Sequence, residues 1–100
     1  MSIKHNSKIE IEAATFQRIL SHLRENPDVQ NIDLMNLANF CRNCISKWYS
    51  EEAEKKGQEI SYDSAREYVY GMPYDEYKKK YQKPATEEQL RKFNENKNKN

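Results

Sequence analysis

The stretch NLANFCRNCISKWY, residues 36–49, places two cysteines three residues apart, with a tryptophan one turn later, in a run that favours a helix. At about 100° per residue, the apolar side chains of this region cluster in one sector roughly 100° wide. These side chains are Leu34, Leu37, Ala38, Cys41, Ile45 and Trp48. The pattern predicts one continuous helix that begins at Asn31 or Asp33 and ends near Lys56, before Gly57.

Helical periodicity extends to both sides of this stretch. Before it, apolar residues recur from Ile9 to Leu23 and predict a first helix that Ser7 caps and that ends near Asn26. After it, three further segments carry the cap and stop residues of helices. They are SYDSAREYVY (61–70) with Ser61 as cap and Gly71 as stop, PYDEYKKKYQ (73–82) opened by Pro73, and TEEQLRKFNE (86–95) capped by Thr86 with Gln89.

These segments predict an all-α fold, a compact array or bundle of four to five helices without strands. The chain has only two glycines and three prolines, which are too few for the turns of a β-rich fold. Residues 1–82 are expected to form a single helical domain. Residues 83–100 are expected to be a polar tail, with at most one short helix before a disordered end.

Charge is balanced across the predicted domain. Residues 1–82 contain 12 Lys and Arg against 13 Asp and Glu. Such a domain lacks the basic face that holds phosphates, so nucleic acid is not an expected partner. No apolar run approaches the roughly 20 residues that cross a membrane, and the N-terminal residues lack the apolar block of a signal peptide. We therefore expect a soluble, cytoplasmic protein with no membrane partner, whose two cysteines stay reduced or bind metal.

Cys41 and Cys44 are the candidate metal ligands. Three residues apart on a helix, their sulfur atoms project to neighbouring points and could both bind zinc. A stable site needs further ligands, and the histidines available are His5 and His22, of which His22 is the candidate third ligand. The alternative is that Cys41 is a small buried apolar residue and that His22 lies on the surface near Glu25.

The sequence matches no catalytic motif that we recognise. Redox C-x-x-C motifs owe their reactive thiolate to a helix N-terminus, whereas this pair is predicted two turns or more inside a helix, where a disulfide would also be strained. A zinc deaminase needs H-x-E and P-C-x-x-C, but the chain has HLR at 22–24 and Phe40 before Cys41. No nucleotide-binding or hydrolase motif is found. No catalytic residue is therefore assigned, and an enzyme is not predicted.

The opposite face of the predicted second helix carries amide side chains around one aromatic ring. Such a face either packs against loop backbone, with the helix central in the fold, or binds a partner protein. The tyrosines of the fourth predicted helix form a stripe that either packs or forms an interface, and monomer and homodimer both stay open. The candidate partner-binding residues are Asn36, Phe40, Arg42, Asn43, Tyr74 and Tyr77.

Three short motifs resemble those of a known family. They are F-C-R-N-C at 40–44, K-W-Y at 47–49 and Y-G-M-P-Y at 70–74. With the sequence around them, they make residues 12–82 similar to short bacterial proteins catalogued as domain of unknown function 1244. The resemblance implies a small all-helical fold and supplies no activity, and it leaves the tail after Gln82 as an addition. The motif residues with expected structural roles are Trp48, Gly71 and Pro73.

The sequence as a whole favours a small helical protein of unknown function that acts as a binding or interaction module for another protein. The alternative is a small zinc-binding or thiol protein. In that alternative, Cys41 and Cys44 supply the sulfur ligands and His22 is the third ligand of the metal.

Overall fold

The computed structural model describes the backbone of residues 3–99 and the side chains of residues 7–97. Within this range the chain forms six helices and no strand. The helices are α1 (Ile3–Glu25), α2 (Asn31–Ala38), α3 (Arg42–Lys55), α4 (Tyr62–Tyr70), α5 (Tyr74–Tyr81) and α6 (Glu87–Lys99). The all-α prediction is confirmed, but the number of helices exceeds the four to five predicted.

The sixth helix arises because the predicted continuous helix from residue 31 to residue 56 is two helices. Asn39 follows α2 in the left-handed conformation, with φ 62°, and its N–H donates to the carbonyl oxygen of Met35 at 2.9 Å. Cys41 then has an extended backbone, with φ −144°, as the N-cap of α3. Asparagine adopts the left-handed region more readily than most residues, so Asn39 is a suitable helix end. The single-helix prediction was wrong because the apolar spacing continues across this break.

The break also changes which apolar side chains are buried. Of the predicted apolar sector, only Cys41 and Ile45 are buried, at 6% exposure each. Leu37 is 85% exposed and Trp48 is 50% exposed. Because α2 and α3 are separate helices, a single helical phase does not relate their faces. Membership of the predicted apolar sector therefore does not mean that Trp48 is buried.

The core is built around α4, which packs against α1, α3 and α5. The helix containing the cysteines, which the sequence analysis left as either central or partner-binding, packs against α4 through α3. α2 has no buried residue and packs against α6. Among the described residues, no helix is long and apolar enough to cross a lipid bilayer. The buried core side chains are Leu20, Cys41, Ile45, Ala65, Val69, Tyr70 and Tyr77.

The helix ends agree with the sequence in α4 and α6 and differ in α1. Ser7 lies inside α1, which begins at Ile3, so its predicted role as a cap was wrong. The Ser61 hydroxyl accepts the N–H of Ser64 at 3.1 Å, as a cap does. Thr86 and Gln89 form the reciprocal capping box, with bonds of 2.8 and 3.1 Å.

Gly71 ends α4 for two reasons. Its φ is 76°, in the left-handed region, and a Cβ there would lie 3.0 Å from Cδ of Arg24. The Arg24 guanidinium needs this approach because it donates to the last carbonyls of α4, those of Tyr68 and Val69. Pro73, with φ −56°, is the N-cap that opens α5.

Candidate functional site

The two cysteines lie at the beginning of a helix rather than in its middle. Cys41 is the N-cap of α3, Cys44 is the third residue of α3, and their Sγ atoms are 4.0 Å apart. Both are free thiols. Rotation of the two side chains can close this distance to the roughly 2.05 Å of an S–S bond. The strain expected for a pair in mid-helix therefore does not apply.

The two thiols differ in their surroundings. Cys41 is buried, whereas Cys44 is half-buried and its Sγ lies 3.9 Å from Sδ of Met35. Burial raises the pKa of the Cys41 thiol, although the backbone N–H groups of Cys44 and Asn43 at the start of α3 act in the opposite direction. Solvent reaches Cys44 more readily than Cys41, so Cys44 is the sulfur atom that a reagent meets first.

The structure brings together two of the three predicted zinc ligands, Cys41 and Cys44, but not the third. Two thiolates bound to one tetrahedral zinc lie about 3.8 Å apart when each Zn–S bond is about 2.3 Å, close to the spacing of Cys41 and Cys44. His22 is exposed on α1, and in the part of the chain that the structure describes no three His, Cys, Asp or Glu side chains group around a metal position. The His5 side chain lies outside the described residues. His22 is therefore not brought together with the cysteines.

Arg42 is 1% exposed, so it does not lie on a partner-binding surface. Nη1 donates to the carbonyl oxygen of Val29 at 2.7 Å, and Nη2 donates to that of Asn26 at 3.0 Å and to that of Leu23 at 3.5 Å. These carbonyls follow or end α1, where a positive charge is favourable because of the helix dipole. Arg42 thus joins the start of α3 to the end of α1.

Asn31, Asn43 and Tyr70 extend this network into the core. Arg42 also donates to Oδ1 of Asn31 at 3.1 Å, and Nδ2 of Asn31 donates to the Tyr70 hydroxyl at 3.0 Å. That hydroxyl donates to Oδ1 of Asn43 at 2.6 Å. Tyr70 is 3% exposed, and burial raises the pKa of its hydroxyl well above the ordinary value. Asn43 is thus turned towards the core rather than towards a partner.

Tyr77 and Tyr74 have different positions in the fold. Tyr77 is 3% exposed, its hydroxyl donates to the carbonyl oxygen of Pro27 at 2.7 Å, and its ring lies 5.4 Å from Cζ of Arg42. We call Arg42, Asn31, Asn43, Tyr70 and Tyr77 the polar joint. Tyr74 is half-buried and borders a cleft of about 260 Å³ lined mainly by polar groups. Tyr77 also reaches this cleft, but Tyr74 is the more exposed of the two tyrosines.

Asn36 attaches the last helix to α2. Its Nδ2 donates to the carbonyl oxygen of Gln89 at 3.1 Å, and Nδ2 of Asn96 donates to the Asn36 carbonyl oxygen at 3.2 Å. Gln89 also donates to the Asp33 carboxylate at 2.9 Å. The predicted partner face of Asn36, Phe40 and Asn43 is therefore divided between three surroundings: the α6 contact, the surface and the core.

An exposed apolar surface lies beside the thiol pair. The rings of Phe40 and Trp48 are 5.6 Å apart and are 38% and 50% exposed, and Leu37 at the end of α2 is 85% exposed. Trp48 is four residues after Cys44 on α3, so the two lie on the same side of this helix. We call Leu37, Phe40 and Trp48 the aromatic patch. Of these three residues, the sequence analysis proposed only Phe40 as a contact residue, and it put Leu37 and Trp48 in the apolar sector of the predicted helix.

The comparison with known families finds one match. The model of a family described as "Protein of unknown function (DUF1244)" matches residues 29–95. The match begins in the loop after α1 rather than near residue 12, and it includes most of α6, which the sequence analysis had treated as an addition. No curated protein matches the chain.

Proposed function

We propose that the chain, which belongs to the DUF1244 family, is a protein-interaction module whose contact surface is the aromatic patch. One observation supports this proposal: Leu37 is 85% exposed, and the rings of Phe40 and Trp48, which follow it in the chain, are also exposed and form a tilted pair. Single exposed apolar residues are common, whereas three large ones within twelve residues, two of them with paired rings, mark a candidate contact surface. Aromatic rings are frequent anchors of protein interfaces because they bury a large area with few rotatable bonds.

The partner that fits this surface is a protein segment with aliphatic or aromatic side chains on one side. The patch is bordered on α3 by exposed residues of both signs, among them Lys47, Glu51 and Glu52. A mixed rim favours no strongly acidic or basic partner. We therefore expect binding that depends mainly on apolar contacts and that changes little with ionic strength.

Site-specific photo-crosslinking in cells tests the proposal. A photoreactive amino acid replaces Leu37, and the same replacement at Leu90 is the matched control, because Leu90 is also exposed, at 46%, and lies on α6. We expect discrete crosslinked species from position 37 that are absent from position 90. Equal crosslinking at the two positions, or none at position 37, would contradict the proposal.

A second substitution links the crosslink to the patch. Trp48→Ala removes the larger ring of the tilted pair, so it should abolish the crosslink from position 37 while the helical circular-dichroism signal is unchanged. Glu54→Ala changes an exposed residue of the same helix, about 120° around its axis from Trp48, and serves as its control. Persistence of the crosslink in Trp48→Ala would exclude the patch as the contact surface.

A homodimer is the second candidate, and the exposure of α1 favours it. Ile9 and Ile19 are each 50% exposed and Ile11 is 64% exposed. Of the apolar stripe that predicts this helix, Leu20 is buried and Phe16 and Leu23 pack against the core, so the exposed apolar surface of α1 consists mainly of these isoleucines. A second copy would cover it by pairing the two α1 helices. Sedimentation over a range of concentrations should then give a dimer that Ile9→Glu dissociates, and a monomer at every concentration would contradict this candidate.

We place either role in the cytoplasm of a bacterial cell. Reduced cysteines persist in that compartment, and the sequence resembles bacterial proteins. Fractionation of the producing cells checks this assignment: the protein should be released with cytoplasmic rather than periplasmic markers.

A further inference from the structure

We propose that Cys41 and Cys44 form a reversible thiol–disulfide exchange site whose substrates are disulfides of low molecular weight, with Cys44 as the sulfur that reacts first. The proposal goes beyond the interaction module and does not depend on it, because a small disulfide needs no docking surface. It rests on the position of the two sulfur atoms at the beginning of α3 and on their unequal exposure.

The distance between the sulfur atoms supports bond formation. The Sγ atoms are 4.0 Å apart, and Cys41 has the extended backbone of an N-cap rather than a helical one. The side chain of an N-cap turns back over the first turn of its helix, where the third helical residue, Cys44, begins. The backbone hydrogen bonds of α3 begin with Ile45, whose N–H donates to the Cys41 carbonyl oxygen at 3.0 Å. An S–S bond between the two side chains leaves these backbone bonds in place.

The unequal exposure of the two thiols determines which of them reacts first with an incoming disulfide. Cys41 is 6% exposed, so an incoming disulfide is kept away from it, whereas Cys44 is half-buried, one helical turn before Trp48 on α3. A reagent therefore reaches Cys44 first, and Cys41 then completes the reaction from inside. The low exposure of Cys41 also limits its reaction with a second reagent molecule.

Each step of the exchange balances in atoms and electrons. The Cys44 thiolate attacks one sulfur of a disulfide R–S–S–R, the S–S bond breaks, and R–S⁻ leaves and takes up the proton released from Cys44. The Cys41 thiol then loses its proton and attacks Sγ of Cys44, which expels the second R–S⁻, and this anion takes up that proton. The two protein thiols are oxidised to one disulfide, and R–S–S–R is reduced to two R–SH. A dithiol reverses the sequence.

The second step is favoured because both sulfur atoms are already held together. An intramolecular reaction at this spacing avoids the loss of translational freedom of a bimolecular encounter. The mixed disulfide at Cys44 should therefore be short-lived in the wild-type chain and long-lived when Cys41 is absent. This difference distinguishes an exchange site from a single reactive surface cysteine.

The experiment follows the reaction of the reduced full-length chain with glutathione disulfide by intact mass. The wild type should lose two hydrogens and retain no glutathione. Cys41→Ser should accumulate the mixed disulfide at Cys44, and Cys44→Ser should react at least about tenfold more slowly, because its remaining thiol is buried. Cys41→Ala repeats the first variant in case a serine hydroxyl at the buried position disturbs folding.

Trp48 provides a second measurement. It is the only tryptophan and lies on the same side of α3 as Cys44, so a disulfide formed there should quench its fluorescence by accepting an electron from the excited indole. The signal should fall as the two hydrogens are lost and return on addition of dithiothreitol. Met35→Leu, which changes only a neighbour of the Cys44 sulfur, should still form the disulfide.

Three results would overturn the proposal. The first is a wild type that keeps glutathione on Cys44 as stably as Cys41→Ser does. The second is equal reactivity of wild type and Cys44→Ser. The third is one zinc per chain in the freshly purified protein that Cys44→Ser loses, because the two sulfur atoms would then hold a metal rather than exchange disulfides.

Discussion

The polar joint and the aromatic patch come within two residues of each other in the chain, at Arg42 and Phe40, and have opposite surroundings. Arg42 is charged and 1% exposed, whereas Phe40 is apolar and 38% exposed. In this small fold, whether a side chain is buried depends on the hydrogen bonds that backbone groups need as much as on the hydropathy of the side chain. The carbonyls after α1 lack helical partners and lie inside, so a side chain with several donors is drawn to them. Phe40 lies against the Trp48 ring and stays partly exposed.

The polar joint holds a positive charge without a carboxylate. Within residues 7–97, none of the five ion pairs includes Arg42. Its charge is balanced by carbonyl oxygens, by the Asn31 amide oxygen and by the face of the Tyr77 ring. A lone buried charge is costly unless all its donors are satisfied, so we expect the joint to tolerate little change. The aromatic patch, in contrast, should tolerate change without loss of folding.

Arg42→Met gives the largest predicted effect. Methionine keeps much of the side-chain volume but removes the donors to Val29, Asn26 and Asn31. The unfolding free energy should fall by about 3–5 kcal/mol, because several buried acceptors lose their partner at once. Urea unfolding followed by circular dichroism measures this change.

Arg18→Met is the matched control for that substitution. Arg18 is exposed on α1, so the same change there should alter the unfolding free energy by no more than about 0.5 kcal/mol. Equal effects at the two positions would show that the joint does not hold α1 to α3, and the contrast between the two regions would be lost.

Tyr70→Phe removes one hydroxyl from the joint and has the next largest effect. The hydroxyl accepts from Asn31 and donates to Asn43, so both amides lose a partner in the core. We expect a loss of about 1–2 kcal/mol at neutral pH, measured by urea unfolding. Tyr68→Phe, on the surface of the same helix, should cost much less.

The same variant tests the titration of Tyr70. Burial raises the pKa of this hydroxyl in the folded chain above the value of about 10 for an unfolded tyrosine. Its contribution to stability is therefore complete below pH of about 10 and is lost as the pH rises towards the folded pKa, with a slope of up to about 1.4 kcal/mol per pH unit. The unfolding free energy of the wild type should fall above pH of about 10 more steeply than that of Tyr70→Phe. Parallel curves would contradict the buried titration.

Much of the fold was predictable because local signals decide it. The helical segments, the Ser61 cap, the Thr86–Gln89 capping box and the Gly71 stop all follow from short-range hydrogen bonding and backbone conformation. These signals involve residues three or four apart, which the sequence displays directly. The all-α class follows from them.

The site was less predictable because it depends on one backbone conformation and on distant partners. The apolar periodicity does not show that Asn39 has a left-handed backbone. Because Asn39 ends α2, the cysteines lie at the start of a helix rather than in its middle. The available signal for this break was an asparagine, Asn39, directly before the apolar pair Phe40 and Cys41. Arg42 was misplaced for another reason: its acceptors lie 13 and 16 residues earlier in the chain, at Val29 and Asn26. Only the tertiary structure brings them together.

Asn39→Ala tests the break that separates the two regions. Alanine at φ 62° carries a steric penalty, so the variant should lose about 1 kcal/mol of unfolding free energy, measured by thermal denaturation. Asn39→Gly is the control, because glycine adopts this conformation freely and should be as stable as the wild type to within about 0.5 kcal/mol. A more helical and more stable Asn39→Ala would indicate that α2 and α3 fuse, as the sequence first suggested.

Leu37→Ser gives the smallest change in stability and the clearest contrast with the core. The side chain is 85% exposed, so its replacement should change the unfolding free energy by no more than about 0.5 kcal/mol. The same substitution at Leu20, which is 0% exposed, removes a core side chain and should cost about 3–5 kcal/mol. Under the interaction proposal, Leu37→Ser nevertheless weakens partner binding, because the leucine is the most exposed apolar group of the patch. Crosslinking from Phe40 to the partner, compared between Leu37→Ser and the wild type, measures that loss. If the variant is stable and its crosslinking is undiminished, Leu37 lies outside the contact surface, and that surface is confined to the rings of Phe40 and Trp48.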